Sequence, residues 1–199
     1  MNNKLSPLVK SLETVYESIA KITEAPTATI LVTRKTKNVM GHWTQYTAWV
    51  DVDKNKYNEI MISADYLNRK PEEILGTLLH EVAHAINTKN KVSDCSSNGY
   101  HNKNFKRQAE ILGLSVEKTQ NGFNKTTLTE EGKKRWAKQL ALITEAVKIS
   151  AISATKTPKG RDTNYKSYKC DCGYVIRMSK STYELSSPSC SICNESFRG

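Results

Sequence analysis

The sequence of 199 residues predicts an α+β fold followed by a small second domain at the C-terminus. Three observations support this prediction. The first half alternates helical apolar periodicity with short stretches rich in β-branched and aromatic residues. The stretch LLHEVAH, at residues 78–84, carries a histidine pair with a glutamate on one of the predicted helices. Four of the five cysteines cluster within residues 170–193, and a chain of this length can form one good core with a small satellite.

The first predicted element is an amphipathic helix over residues 5–23. Its apolar residues recur at three- and four-residue spacings and are Leu5, Leu8, Leu12, Val15, Ile19 and Ile22. Three strands are predicted next, over residues 27–34, 42–50 and 58–63, because each is rich in β-branched or aromatic side chains. A polar turn at residues 53–58 precedes the third strand.

The helix that carries the histidine pair is expected to begin near Pro71. Proline suits a first helical turn, and Glu72 and Glu73 suit the positive end of the helix dipole. Its apolar stripe is expected to be buried and consists of Ile74, Leu75, Leu78, Leu79, Val82 and Ile86. A loop of turn-forming residues at 91–102 follows this helix.

Two more helices are predicted after that loop. The first is capped by Asn102 or Asn104 and stops at Gly113. The second covers residues 127–149 with Thr129 as its cap, and its apolar face consists of Trp136, Leu140, Ile143 and Val147.

The histidine pair predicts a zinc site. His80 and His84 are four residues apart, so on a helix both point to the same side. A catalytic zinc ion uses three protein ligands and a water molecule, which it makes a nucleophile at neutral pH. Glu81 is offset from the pair and can act on that water as a general base, so it is the candidate catalytic residue. The alternative is an ordinary helix with two histidines near its polar edge.

Two residues are candidates for the third zinc ligand. The metzincin pattern fails, because Asn87 and Asn90 stand where it requires a glycine and a histidine. His101 lies in a loop that can fold back onto the helix, whereas Glu110 follows a basic stretch and is expected to face solvent. We therefore favour His101. His42 is expected at a strand end rather than on the metal.

The C-terminal cysteines predict a second, structural zinc site. The pairs are separated by seventeen residues, which fits a four-thiolate zinc ribbon built from Cys170, Cys172, Cys190 and Cys193. The first pair is C-x-C rather than C-x-x-C, and Gly173 gives its turn backbone freedom. A strand is expected to leave this turn. The alternative is a small β unit with free cysteines. Cys95 is expected to be a free thiol in a polar loop.

The net charge of +10 is concentrated in the second half of the chain. Residues 1–99 hold 12 Lys+Arg against 11 Asp+Glu, whereas residues 100–199 hold 18 against 9. The cysteine region interleaves lysines and arginines with Tyr165, Tyr168, Tyr174 and Tyr183. Basic and aromatic side chains together favour a nucleic-acid partner, although we expect two of the four tyrosines to form the core of the small domain.

No stretch of the sequence predicts a membrane segment. No apolar run approaches the ~20 residues that a transmembrane helix needs. The N-terminal segment is periodic and charged instead of forming the apolar core of a leader peptide. We therefore expect a cytoplasmic protein with no membrane partner.

The motif region resembles a known family. TLLHEVAHAIN, a loop and GYHNKNFKRQAEILGL are similar to the SprT-like (Spartan-type) metalloprotease domain, as is NEIMISADYLNRKPEEIL before them. The resemblance covers about residues 8–128 and implies a zincin-like fold, with a zinc ribbon at 165–199. It also implies zinc ligation by His80, His84 and His101, with Glu81 as the base. Characterised members of this kind degrade proteins crosslinked to DNA.

These observations predict four parts: a metalloprotease domain at 1–128, a basic helical segment at 129–150, a linker at 151–164 and a zinc ribbon at 165–199. The predicted function is zinc-dependent hydrolysis of DNA-associated proteins, with one catalytic and one structural Zn²⁺. The main alternative is a DNA-binding adaptor with a non-catalytic zinc site, and a zinc amidase is a third. Glu81 favours the enzyme, since a structural site needs no carboxylate beside its ligands.

Overall fold

A computed structural model describes residues 5–34, 39–147 and 165–199. The chain divides into two compact units, residues 1–152 and 153–199, which we describe separately. The elements of the first unit are α1 (Leu5–Thr23), β1 (Ala28–Thr33), β2 (Gly41–Trp43), β3 (Trp49–Val50), β4 (Lys56–Ser63), α2 (Pro71–Lys89), α3 (Lys103–Ile111), β5 (Leu114–Thr119), β6 (Gly122–Leu128), α4 (Glu130–Arg135) and α5 (Ala137–Ala146). This confirms the mixed α+β class. Within the described ranges, no helix combines the length and apolar character that crossing a membrane requires.

Helix α1 covers the predicted residues 5–23 and packs against α5 and β1. Its buried face includes Leu8, Leu12, Val15, Tyr16 and Ile19. Ile22 belongs to the same apolar spacing but lies in the last turn and is 60% exposed.

The central sheet has the strand order β1-β4-β2, with β1 parallel and β2 antiparallel to β4. The single strand predicted over residues 42–50 is instead two strands, β2 and β3, which pair with different parts of β4. Between them, the side-chain amide of Asn58 donates to the carbonyls of Thr44 and Tyr46 at 3.0 and 3.1 Å. These bonds supplement the backbone bonds from Thr44 and Ala48 to β4 at the interruption.

Strand β4 begins at Lys56, two residues earlier than predicted. The preceding turn is correspondingly short. The carboxylate of Asp51 closes it by accepting hydrogen bonds from the backbone amides of Asp53 and Asn55 at 2.9 and 2.8 Å. Lys54 adopts a positive φ of 64° within the turn.

Helix α2 begins at the predicted Pro71 and runs through the centre of the unit. Twelve of its 19 residues are buried, because α2 contacts α3, α5, β2 and β6. A single turn of 3-10 helix (Ala64–Tyr66) precedes it. At its N-terminus, the Glu73 side chain accepts a hydrogen bond from the Lys70 amide at 3.0 Å.

Helix α3 follows the predicted loop, and Asn102 caps it by accepting from the amides of Asn104 and Phe105. The hairpin of β5 and β6 was not predicted. Residues 127 and 128, assigned by the sequence pattern to the next helix, belong to β6, where burial alternates along the strand. Gly122 begins β6 with a φ of 81°, a conformation that favours glycine.

The helix predicted over residues 127–149 is interrupted. Thr129 caps α4 as predicted, but Trp136 separates α4 from α5. Trp136 is fully buried, and its indole N–H donates to the carbonyl of Leu112 at 2.8 Å. Trp136 and Ile143, from the basic helical segment at 129–150, lie in the same core as α1 and α2. The predicted linker at 151–164 lies outside the described residues.

The second unit contains β7 (Tyr165–Lys169), β8 (Val175–Ser179) and α6 (Lys180–Ser186). The strands form an antiparallel hairpin, and Lys169 also bridges to Arg198. The strand predicted after the first cysteine pair is confirmed, whereas α6 was not predicted. Two of the four tyrosines form the small core as expected, with Tyr168 stacked on Tyr183 at a ring-centroid distance of 3.9 Å. Tyr165 and Tyr174 are exposed.

Candidate active site and cysteine cluster

Three histidine side chains converge on one point in the first unit. His80 and His84 project from the same face of α2, one helical turn apart. The Nε2 atom of His101 lies 3.2 Å from Nε2 of His80 and 3.1 Å from Nε2 of His84. The site therefore brings together the three histidines that the sequence analysis assigns to zinc.

Backbone contacts with residues 121–123, at the start of β6, hold His101 in place. Its amide donates to the carbonyl of Asn121 at 3.1 Å, and its carbonyl accepts from the amide of Phe123 at 3.0 Å. This pairing brings His101 against Gly122 so closely that a β-carbon on Gly122 would lie 2.1 Å from the His101 carbonyl oxygen. The close approach therefore requires glycine at position 122.

The donor geometry fits a zinc ion. Two nitrogens that each lie about 2.0–2.1 Å from a tetrahedral zinc ion are about 3.3–3.4 Å apart, close to the 3.1 and 3.2 Å found here. The opposite ring nitrogens are bound by other groups. Nδ1 of His84 lies 2.8 Å from a carboxylate oxygen of Asp94, and Nδ1 of His101 lies 3.0 Å from the carbonyl oxygen of Gly99. Both oxygens only accept, so both Nδ1 atoms carry the proton and leave Nε2 with its lone pair toward the centre.

His80 has an equivalent partner on the neighbouring strand. Its Nδ1 lies 3.1 Å from the hydroxyl oxygen of Thr126, which is in β6. All three histidines thus have a second contact that fixes the ring orientation, as is typical of metal ligands.

An apolar side chain supports the three imidazoles. The ring of Phe105, from the first turn of α3, lies 4.5–4.6 Å from each histidine ring, measured between centroids. Phe105 is fully buried. Burial, reinforced by the neighbouring histidines, holds the pKa of His80 well below its usual value, and burial also lowers the pKa of His101. The neutral imidazole is the form that binds metal.

Glu81 lies next to the histidines at the floor of a cleft. Its side chain is 5% exposed, and strand β2 passes directly over it at Gly41. A β-carbon on Gly41 would lie 2.7 Å from Oε1 of Glu81. The absence of a side chain at this position therefore leaves room for the carboxylate beside the histidines.

The cleft has a volume of about 790 Å³. It starts at His80, Glu81 and His101 and continues along α2 toward its N-terminus. Residues 39–41 form one wall, and residues 124–128 of β6 form the other. It is large enough to hold a segment of a peptide or a ligand of comparable size.

The rejected candidates lie outside the histidine group. Glu110 is exposed on α3, where it pairs with Lys106 at 3.6 Å. His42 is in the middle of β2 rather than at a strand end, and its side chain is exposed. Cys95 is a free thiol as expected, but it is half-buried next to Asp94, and burial followed by the Asp94 charge raises its pKa to about 12.

Comparison with known proteins assigns the first unit to a family. The model of the SprT-like family matches residues 7–143, which is more than half of the chain. The chain belongs to the SprT-like family. Its membership confirms the resemblance and suggests a zinc metalloprotease type of function for this SprT-like chain. No curated protein and no solved structure matches it.

Several residues of this SprT-like site were not found from the sequence. Asp94, Thr126 and Phe105 orient or support the histidines, and Gly41 and Gly122 provide space for them. The sequence offered little signal for these glycines, because Gly41 lies just before the strand predicted over 42–50 and Gly122 lies in the unpredicted β6. Nothing in the spacing of the two polar residues or Phe105 indicates the histidine that each contacts.

The cysteine cluster lies outside the family match, in the second unit. The Sγ atoms of Cys170, Cys172, Cys190 and Cys193 all lie within 4.8 Å of one another. Cys172 Sγ lies 3.0 Å from Cys170 Sγ and 3.6 Å from Cys190 Sγ. Sulfurs on a tetrahedral zinc ion, at about 2.3 Å from the metal, are about 3.8 Å apart, so the group has the donors and approximate spacing of a four-thiolate site.

Two tight turns present these thiols. In the first, the Gly173 amide donates to the Cys170 carbonyl at 2.9 Å, with a φ of 89° at Gly173. In the second, the backbone amides of Cys193 and Ile192 donate to Cys190 and lower its pKa to about 6. Amide donors of this kind favour the thiolate, which is the form that binds metal.

Proposed function

We propose that this chain is a zinc-dependent metallopeptidase of the His-Glu-x-x-His type that acts on DNA-associated proteins. One observation carries the catalytic part of this proposal. Three imidazole Nε2 atoms converge at the end of a cleft, with the carboxylate of Glu81 beside them. The three histidines would supply three ligands to a zinc ion, the number that a catalytic zinc site uses beside a water molecule.

The residues of the chain then have distinct roles. His80, His84 and His101 would hold the metal, which when bound makes water a nucleophile at neutral pH and polarises a carbonyl. Glu81 accepts the proton of the attacking water and later donates it to the leaving amine, the usual work of a general acid–base. Asp94 and Thr126 keep the imidazoles oriented through their Nδ1 atoms.

The cleft favours an extended polypeptide as the substrate. Strand β2 is the edge of its sheet in the described part of the chain, since β4 is its only partner there. An edge strand can pair with an added extended segment through backbone hydrogen bonds. Such a segment would pass along residues 39–41 and over Glu81, with its peptide carbonyl next to the histidines.

The second unit supports a nucleic-acid partner. Alternate residues of a strand share one face, so the pairing of β7 with β8 brings Tyr165, Lys169 and Arg177 to the same side. Arg198 joins them, because it bridges to Lys169. All four are exposed. We refer to these four residues as the basic face. The three cations can contact phosphates, and the exposed ring of Tyr165 can stack on a base.

The proposed zinc ribbon would stabilise the conformation of the basic face. The first cysteine turn connects β7 to β8, and the second precedes the segment in which Arg198 pairs with Lys169. A four-thiolate ion would crosslink the two turns. A closed site of this kind stabilises folding and leaves no position for catalysis. The proposal therefore includes two zinc ions per chain, one catalytic and one structural.

The proposal is tested by measuring protein cleavage with and without DNA. Purified zinc-loaded protein should cleave casein or histone, a chelator should stop the cleavage, and added zinc should restore it. If the substrates are DNA-associated, single- or double-stranded DNA should increase cleavage of a DNA-binding substrate more than cleavage of casein. Zinc and DNA binding without cleavage of any protein would instead support the adaptor alternative.

A further inference from the structure

The cleft contains a charged group whose role the proposed chemistry does not explain. The guanidinium of Arg69 lies in the wall of the cleft and is half-buried. Arg69 precedes α2, and its side chain extends along the first two turns of that helix to Thr77. A charged side chain in such a position needs partners, because burial removes much of its hydration.

Neutral groups of the protein hold this guanidinium in place. Nε donates to the carbonyl of Tyr66 at 2.9 Å, and Nη2 donates to the hydroxyl of Thr77 at 3.0 Å. Nη1 lies 3.2 Å from the sulfur of Met40. Tyr66, Thr77 and Met40 carry no charge, so the guanidinium is fixed in orientation but is not neutralised by them.

No carboxylate in the described ranges lies within 4.0 Å of the Arg69 nitrogens. Glu73 is near enough to raise the pKa of Arg69, against the larger effect of burial, which lowers it. However, Glu73 uses one carboxylate oxygen to accept the Lys70 amide at the start of α2. The guanidinium stays charged at neutral pH. It therefore presents N–H groups and positive charge to the cleft.

Arg69 lies close to the position of Glu81 along the cleft. Its partner Thr77 is four residues before Glu81 on α2, so the two share one face and are about 6 Å apart along the helix. Both also contact the same part of β2, since a β-carbon on Gly41 would lie 2.9 Å from Thr77 Cγ2 and 2.7 Å from Glu81 Oε1. An extended peptide rises about 3.3 Å per residue. The guanidinium therefore faces a substrate residue one or two positions from the bond at Glu81.

Resting on the proposed peptidase function, we infer that Arg69 binds a carboxylate of the substrate and so determines cleavage specificity. The carboxylate belongs to an Asp or Glu side chain one or two residues from the scissile bond, or to a free C-terminus at the same distance. Both sources offer the planar pair of oxygens that a guanidinium binds best. Arg69 is thus a specificity residue that takes no part in the proton transfers.

Matched peptides test this inference. Cleavage sites in casein would first be located by mass spectrometry. Peptides around one site would then be made with Glu or Gln at each of the two positions on either side of the bond, and with a C-terminal acid or amide. We expect kcat/KM to be about tenfold to hundredfold higher for the acid than for the matching amide at one position. This ratio corresponds to the usual strength of a hydrogen bond to a charged group. The Glu/Gln and acid/amide pairs distinguish the two carboxylate sources.

Variants connect this preference to Arg69. Arg69→Gln should bring the acid-to-amide ratio of kcat/KM close to one, and Arg69→Lys should keep part of it. Lys125→Gln is the matched control, because Lys125 also lines the cleft but pairs with Glu117 at 2.8 Å. It should leave the ratio unchanged. A ratio within one variant is insensitive to the amount of folded protein.

The outcomes separate the two proposals. A wild-type ratio near one at every position would overturn the specificity role even if Arg69→Gln does not fold. An acid preference that persists in Arg69→Gln would overturn it as well. Failure of the wild-type protein to cleave any protein or peptide, with zinc bound, would refute the peptidase function itself.

Discussion

Gly122 provides a test of how the third histidine is held. Replacing it with alanine places a β-carbon 2.1 Å from the carbonyl oxygen of His101, whereas the closest ordinary contacts of this kind are about 3.3 Å. The His101 backbone or β6 must then move by roughly 1 Å, and metal sites tolerate errors of only about 0.2 Å in ligand distances. Because alanine rarely adopts a φ of 81°, the substitution should also lower the free energy of unfolding by about 1–3 kcal/mol.

We therefore expect Gly122→Ala to weaken zinc binding at the histidine site by about tenfold to hundredfold, the loss typical of a misoriented ligand. Zinc affinity would be measured by competition with a chelator, and unfolding by thermal denaturation of the metal-free protein. Zinc bound to the cysteine cluster should be unaffected, because its residues belong to the other unit.

Gly113→Ala is a matched control for this experiment. Gly113 also has a positive φ, 88°, and a β-carbon there would lie 2.8 Å from Cα of Gly132. This variant should lower the unfolding temperature without changing zinc affinity, because Gly132 is not a ligand. Zinc affinity in Gly122→Ala equal to that of the wild type would refute the proposed role of the glycine.

Three further predictions concern the ligand contacts and the basic face. Asp94→Asn should lower zinc affinity by about 10- to 100-fold, measured by the same competition, because the His84 ring loses a charged acceptor. His84→Ala should retain about one zinc ion per chain by metal analysis, whereas the wild-type protein should hold about two. Full-length protein should bind DNA with an affinity that falls steeply with salt, and the slope of log affinity against log salt should flatten by up to about three units when glutamine replaces Lys169, Arg177 and Arg198.

Each of the three has an outcome that contradicts it. Unchanged zinc affinity in Asp94→Asn would mean that the contact does not orient the imidazole. Two zinc ions retained by His84→Ala would remove the histidine group from the metal assignment. An unchanged salt slope in the triple glutamine variant would show that DNA binds elsewhere or not at all.

The sequence predicted the parts of the site that depend on local periodicity. The spacing of His80 and His84 sets their shared helix face, and the buried stripe of α2 follows from the same period. The caps at Asn102 and Thr129 were found because their chemistry is local.

The remaining features depend on contacts between distant segments. Thr126 reaches His80 across 46 residues, and Gly122 meets His101 across 21. The hairpin of β5 and β6 was missed because its strands carry polar residues on the exposed side and few apolar ones. Trp136 interrupts the last predicted helix because its buried indole bonds to Leu112, a tertiary contact that overrides helix propensity.

The most direct test of the central claim is the Glu81→Gln variant. Glutamine keeps the size of the side chain but cannot take the proton of the attacking water. Zinc content should remain at the wild-type level, while the rate of protein cleavage falls by about 10²- to 10⁴-fold. Cleavage at the wild-type rate, with zinc bound, would contradict the assignment of Glu81 as the general base and with it the proposed mechanism.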